Sequence, residues 1–478
     1  MNLPLAPSFP SCTWERPCLL NFVASALLPL VWATFAEGKQ GTKYNFADRG
    51  RSQVQLGNEG FEREEPLFPL TGHGRLLSLL LLAALLGCFP FATAAAELPL
   101  IGMLQSDPTH IAATNDAGAR GVVVGVSWDR GEPRDGEFDL VYFKTVQARI
   151  DAFRAGGKKV VLDLGVQYPP DWIFGHPEAH FVNQEGKPFQ PAPASGECGV
   201  NLVFSQAMRD RFEAYLKQVF AALGQDFAAV RLGGGRYGEV GYPINVHAGN
   251  TNCYWAFDSL AQGRQPGLPP GIKPCPVPGW IPGTASPNHN SARQFLDWYM
   301  ESLRNYHDWQ IAVVRRSYPG PLHMLYPSIG GLRPGQLEAA IADDADGSTG
   351  AEKTGEVGRG YDMARFIAGI TDPQVMVYCT WIDGFEGSDD ASPDSGRWSP
   401  AHFLASLAAA HQPPLGVGGE NTGHPDDLAN LKLTFERVRT YHLSALFWAF
   451  EPTLFDGKDG HASIADFKAC AVQEMPSR

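Results

Sequence analysis

The sequence predicts an α/β protein of the (β/α)8 barrel class, one domain with long insertions after strands three, four and five. Three observations predict it. Eight short, apolar, β-branched runs recur along residues 98–450, amphipathic helical stretches lie between them, and the longest connections are rich in Gly, Pro and aromatic residues. Strands buried on both faces read as continuous apolar runs, and strand–helix alternation implies parallel pairing with right-handed crossovers.

Taken in order, the strand runs are Leu98–Leu104, Gly121–Val126, Lys159–Leu164, Ala228–Leu232, Leu322–Tyr326, Val375–Thr380, Leu415–Gly419 and Ser444–Phe450. Helical periodicity marks Phe143–Ala155, Gln206–Leu223, Ala292–Ser317, Asp362–Ile370, Pro400–Ala410 and Pro425–Thr440. Eight such units close a barrel, and chemistry in that fold sits on the loops after the strands' C-terminal ends. The stretch from Gly241 to Asn290, rich in Pro, Gly, Trp and Asn, is the largest insertion and is expected to wall the cleft.

Ahead of the barrel, Arg75 precedes an apolar run from Leu76 to Leu86, then Gly87, Cys88 and Ala92-Thr93-Ala94-Ala95-Ala96. A positive flank, a short apolar stretch and an A-x-A site make a secretory signal peptide, which export machinery reads at a free N-terminus. Residues 75–96 are therefore expected to be the signal and residues 97–478 the barrel domain. Residues 1–74 are expected to be a non-native or disordered extension from a start site placed too early. Two alternatives stand beside this. Leu19–Ala36 is a candidate anchor interrupted by Pro29, and Cys88 is a candidate lipid-attachment site.

The chain has 38 Lys+Arg against 51 Asp+Glu, a formal charge of −13, with the basic residues scattered. That pattern lacks the basic footprint nucleic-acid binding needs, so no nucleic-acid partner is expected. Eleven Trp, 14 Tyr and 28 Phe exceed ordinary core needs and suggest exposed rings for sugars to stack on. Past residue 97 the cysteines are Cys198, Cys253, Cys275, Cys379 and Cys470. Cys253 and Cys275 bracket a Pro/Gly-rich loop and are the expected disulfide; Cys379 reads as a buried thiol. No C-x-x-C pair occurs, so no metal is expected, and no organic cofactor is implied.

Ionisable and aromatic residues gather at the predicted strand ends. Strand two ends in Ser127-Trp128-Asp129, strand three runs into Gln167-Tyr168, and strand four reaches Arg236-Tyr237-Gly238-Glu239. Tyr326 ends strand five, Trp381-Ile382-Asp383 follows strand six, Glu420-Asn421 follows strand seven, and Trp448 and Glu451 lie at strand eight. Glu239 and Glu420 thus face each other across the barrel mouth. Glycosidic cleavage requires two such carboxylates, one to protonate the leaving oxygen and one to attack the anomeric carbon or activate water. The remaining strand-end residues are candidate substrate binders, with Asp383 equally readable as a helix cap.

The segment Val122–Asp139, with Trp128, Glu132-Pro133, Gly136 and Phe138-Asp139, resembles the second-strand signature of family 42 glycoside hydrolases, the barrel β-galactosidases of clan A. Further matches are Pro169-Pro170-Asp171-Trp172, the stretch from Phe181-Val182-Asn183 to Asn201, and Phe295–Arg316. Across roughly residues 98–450 the resemblance implies Glu239 as acid/base, Glu420 as nucleophile, and Trp128, Tyr326 and Trp448 around the first sugar. One departure is plain. Gly238 stands where clan A acids usually follow Asn, and Gly238-Glu239-Val240-Gly241-Tyr242-Pro243 resembles the acid loop of the inverting β-amylases of family 14. Retention and inversion both stay open.

Other motifs carry less. Gly233-Gly234-Gly235 lacks the Lys-Ser/Thr of a phosphate loop and reads as a tight turn or room for a sugar. Asp343–Gly347 and Asp389–Asp394 lack EF-hand spacing and read as solvated loops. His176, His180 and His424 are loop histidines that can bond sugar hydroxyls or serve ordinary polar roles. A polysaccharide-binding barrel without catalysis would have no need to keep both glutamates. A membrane-associated factor in polysaccharide processing would need the anchor or the lipid.

Overall fold

The computed structural model describes residues 99–190, 199–250, 252–327, 331–345, 355–384, 387–422 and 426–474. The expected signal and anchor segments, Cys88, Cys198 and His424 lie outside them. Eight parallel strands close on themselves in sequence order: β1 Leu100–Met103, β2 Gly121–Gly125, β3 Lys159–Asp163, β4 Ala229–Leu232, β5 Leu322–Tyr326, β6 Val375–Cys379, β7 Val417–Glu420 and β8 Ala445–Trp448. Closure is made by β1 on β8, with Leu100 opposite Ala445 and Met103 opposite Trp448. Seven of the expected runs contain their strands, β7 runs one residue past its expected end to include Glu420, and every end agrees to within two residues.

Each strand is followed by a helix: α1 Ile111–Asp116, α2 Leu140–Ala155, α3 Gln206–Leu223, α4 Asn290–Arg315, α5 Met363–Ala368, α6 Pro400–Ala410, α7 Leu428–Thr440 and α8 Ile464–Glu474. Short polar side chains start several of them. Asp139, Ser205, Ser399 and Asp427 each accept a hydrogen bond from an otherwise unpaired amide of the first turn. In α3 Met208, Phe212, Tyr215, Leu216, Val219, Phe220 and Leu223 are buried, the i, i+3, i+4 face that packs on the barrel. The helices α1 and α8 were not expected. Nor was the extra helix Gln336–Ala345, which converts part of the acidic Asp343–Gly347 stretch into helix and buries Asp344 against the Tyr254 hydroxyl at 2.6 Å. Among the described residues no helix is long and apolar enough to cross a membrane.

Successive strand side chains point alternately in and out. Outward residues such as Val122, Val160, Val230, Met324, Val377 and Trp448 join the core beneath the helices, whereas Val161, Ala229, Leu325, Tyr378, Ala445 and Phe447 form a separate cluster inside the barrel. Phe447 crosses to β1, where a Cβ on Gly102 would lie 2.4 Å from its ring, so the barrel floor is solid. Polar chemistry is left to the C-terminal mouth.

Candidate active site

Glu420 is the last residue of β7, and the alternation turns its side chain inward. Two groups from other strands meet one of its oxygens: Arg231 Nη1 of β4 donates to Glu420 Oε2 at 2.8 Å, and the Tyr378 hydroxyl of β6 donates to the same oxygen at 2.9 Å. Arg231 Nε lies 3.5 Å from Asp163 Oδ2 at the end of β3, and the guanidinium is 5.1 Å from the Tyr378 ring centroid. Asp163 is held in turn by Gly165 N at 2.9 Å and Gln167 Nε2 at 3.2 Å. Burial opposes the Arg231 charge, but Glu420, Tyr378 and Asp163 outweigh it and hold the guanidinium protonated more firmly than usual. Below, the His323 ring stacks on Tyr378 at 5.3 Å, and burial and Arg231 push its pKa down to about 3, which keeps it neutral.

Glu239 is aimed by a turn that closes on itself. Gly234 N donates to Gly238 O at 2.9 Å and Gly235 N to Glu239 O at 2.5 Å. Gly234 and Gly238 have φ of 86° and 84°, and a Cβ on Gly233 would lie 1.9 Å from Gly238 O. The glycines thus serve the tight turn. Glu239 Oε1 accepts the Thr380 hydroxyl at 2.6 Å. Burial raises the Glu239 pKa to about 7; Thr380 and Arg359 pull it down, Glu420 pushes it up, and Arg236 exerts a smaller downward pull. Burial therefore overrides the Arg236 effect, which alone would have spoiled the group as an acid. The two carboxylates end in different states: Glu239 able to keep a proton near neutrality, Glu420 clamped by a cation and a phenol.

The other expected binders divide. Gln167, Tyr168, Arg236, Tyr237 and Trp381 lie in the loops at the mouth; Tyr168 and Tyr237 are 36% and 45% exposed, and Gln167 is the neighbour a Cβ on Gly238 would meet at 3.4 Å. Trp128, Tyr326 and Trp448 do not line it. Trp128 is buried between Phe212 and Tyr215, and its Nε1 donates to Glu132 Oε2 at 2.8 Å. Glu132 also takes Gly136 N at 3.0 Å through Oε1 and Trp172 Nε1 at 2.9 Å through its carbonyl, so the motif brackets the β2 loop. Tyr326 points outward to His307 of α4, hydroxyl to Nε2 at 2.8 Å. Trp448 points outward against Phe467 of α8.

Asn421 is also corrected. Its amide is buried and spent on Ala449, donating to the carbonyl and accepting from the N–H, both at 2.6 Å. Asp383 is buried with Oδ1 accepting Thr422 N at 2.9 Å, a brace for the loop after β7, and burial raises its pKa to about 7. The expected Cys253–Cys275 disulfide is not formed. Both are buried free thiols, and Cys253 Sγ accepts from Asn183 Nδ2 at 3.4 Å. His180 spends both ring nitrogens near backbone carbonyls of Phe174 and Phe189, and His176 lies 3.7 Å from Asp135. Asp390 holds Ser399, the residue that caps α6, accepting from its N–H at 2.6 Å and from its hydroxyl at 2.9 Å. Among the described residues no group of three or more His, Cys, Asp or Glu is arranged to hold a metal. Sequence reasoning missed Asp163, Arg231, Tyr378, Thr380 and Arg359.

Residues 108–223 match a family model described as Beta-galactosidase, that of glycoside hydrolase family 42. The matched segment ends before Glu239 and Glu420. No curated protein matches the chain significantly. Among solved structures, the catalytic domain of beta-amylase from Paenibacillus polymyxa is similar at 15% identity and a TM-score of 0.56, over 80% of this chain and all of that one. A beta-galactosidase from the psychrophilic Marinomonas ef1 is similar at 13% identity and a TM-score of 0.50, over 78% of this chain and 58% of that one. These likenesses bear out the (β/α)8 barrel. The family match bears out the resemblance to family 42 and the expected enzyme class, a glycosidase.

Proposed function

We propose that the chain is an exported, retaining glycoside hydrolase, β-galactosidase-like in its substrate, with Glu239 as acid/base and Glu420 as nucleophile. The observation that carries this is the unequal setting of the two carboxylates, a proton-holding Glu239 with a pKa near 7 and a Glu420 whose Oε2 is fixed by Arg231 and Tyr378. A carboxylate fixed through one oxygen by two donors suits attack on carbon better than it suits steering a water.

In the first step Glu420 forms a bond to the anomeric carbon while the glycosidic C–O bond breaks. Its electron pair leaves on the aglycone oxygen, which takes the Glu239 proton. Glu239, now a carboxylate, removes a proton from water as the water oxygen attacks the same carbon and releases Glu420. Arg231 and Tyr378 share the charge that returns to Glu420. No group beyond these side chains and water is needed. The partner is a neutral oligo- or polysaccharide.

Inversion is the second reading, favoured by Gly238 before Glu239 and by the family 14-like run 238–243. A panel of aryl glycosides and oligosaccharides, tried with wild type, Glu239→Ala and Glu420→Ala, tests the assignment. Undiminished hydrolysis by both variants would end it, and NMR of the first-formed anomer separates retention from inversion. N-terminal sequencing of protein recovered outside the cytoplasm tests export; cleavage after Ala96 supports it, and recovery of residues 1–70 removes it.

A further inference from the structure

The turn before Glu239 holds a residue that its backbone does not favour. Tyr237 has φ 55° and ψ 20°, the left-handed region that bulky side chains avoid, although the residues around it are glycine at 233, 234, 235 and 238. Burial does not compensate for the strain, because Tyr237 is 45% exposed. One neighbour does order the ring. Arg236 lays its guanidinium 4.7 Å from the ring centroid and its Nη2 donates to the Tyr237 hydroxyl at 2.9 Å. An aromatic side chain is thus presented to solvent from a strained turn and stiffened by a cation, two residues before the acid.

We propose that Tyr237, braced by Arg236, is a stacking platform for a sugar ring on the leaving-group side of Glu239. The preferred substrate is then a saccharide whose leaving group is itself a sugar. The proposal rests on the two-glutamate reading, since an acid/base must lie beside the leaving oxygen and Tyr237 shares the hydrogen-bonded turn that aims Glu239. Hydrogen bonds from Gly234 N and Gly235 N to the carbonyls of 238 and 239 make ring and carboxyl one rigid unit. A pyranose has apolar C–H faces that pack on an aromatic ring, and Arg236 supplies donors for the hydroxyls at its rim. Tyr168, exposed on the adjoining β3 loop beside Gln167, extends the same wall.

The test compares kcat/KM on oligosaccharides with kcat/KM on the glycosyl fluoride of the same sugar, whose leaving group has no ring. Wild type, Tyr237→Asn and Tyr237→Phe are measured. Asn accepts the left-handed backbone, so it removes the ring without unfolding the turn. The expected result is a fall of about tenfold in the oligosaccharide-to-fluoride ratio for Tyr237→Asn, the equivalent of one aromatic contact, with Tyr237→Phe close to wild type. An equal loss on both substrates, or no loss on either, overturns the platform. Wild type that cleaves neither substrate overturns the two-glutamate reading and this proposal with it.

Discussion

Arg231 joins opposite sides of the barrel: its Nη1 donates to Glu420 Oε2 on β7 at 2.8 Å while its Nε lies 3.5 Å from Asp163 on β3. The guanidinium is 4% exposed and the Glu420 side chain 13%, so neither charge is well solvated without the other. The cation thereby fixes where the Glu420 carboxylate points.

Removing the cation should therefore cost stability and activity together. Arg231→Met leaves a buried carboxylate unpaired, and the expected loss is about 3–5 kcal/mol in chemical denaturation, with kcat reduced in parallel. Adding Glu420→Gln to that variant removes the stranded charge and should restore part of the stability, though none of the activity. A double-mutant cycle in which the two losses simply add would show that the pair is not coupled.

Thr380 gives a signed pH prediction. Its hydroxyl donates to Glu239 at 2.6 Å and favours the carboxylate, working against the burial that raises the pKa to about 7. Without the hydroxyl, Glu239 should hold its proton to higher pH. Thr380→Val should then move the alkaline limb of the kcat/KM profile, which requires protonated Glu239, upward in pH. A limb displaced downward would contradict the arrangement.

The barrel was legible in the sequence because each of its strands is an apolar run, but the direction of each side chain was not. Tyr326 and Trp448 close their strands at the mouth, yet they share parity with Met324 and Leu446 and so face the helices. Their inward neighbours, Leu325 and Phe447, fill the barrel. The residues missed were those that break an apolar strand: Arg231 between Val230 and Leu232, Asp163 after Leu162, and Tyr378 after Val377. A charge set in a buried strand must find a partner, and that rule alone would have picked out Arg231 and Asp163. No comparable rule finds Thr380 or Arg359, whose relation to Glu239 comes from long-range folding.

Asn421 should behave as a structural residue even though it follows Glu420 directly. Its amide satisfies both the N–H and the carbonyl of Ala449, at 1% exposure. Asn421→Ala strands two buried backbone groups, at about 1–3 kcal/mol each. Thermal denaturation should register a large loss, with substrate KM changed far less. A KM effect at unchanged Tm would return Asn421 to the sugar-binding set.

Asp426 supplies the last prediction, on stability against pH. Burial, together with Asp383 and Asp456, raises its pKa from 3.8 to about 7, opposed by Lys458. Between those values the folded chain holds a proton that the unfolded chain has released. Stability from this group is therefore full below pH 3.8 and is lost as the pH rises toward 7, opposite in sign to a salt-bridged carboxylate. Asp426→Asn removes the titration while keeping the shape. Its Tm should exceed that of wild type most at pH 8, the difference narrowing as the pH falls to 5. Parallel curves for the two proteins across that range would mean that Asp426 ionises alike in both states, and the account of its buried carboxyl would have to be given up.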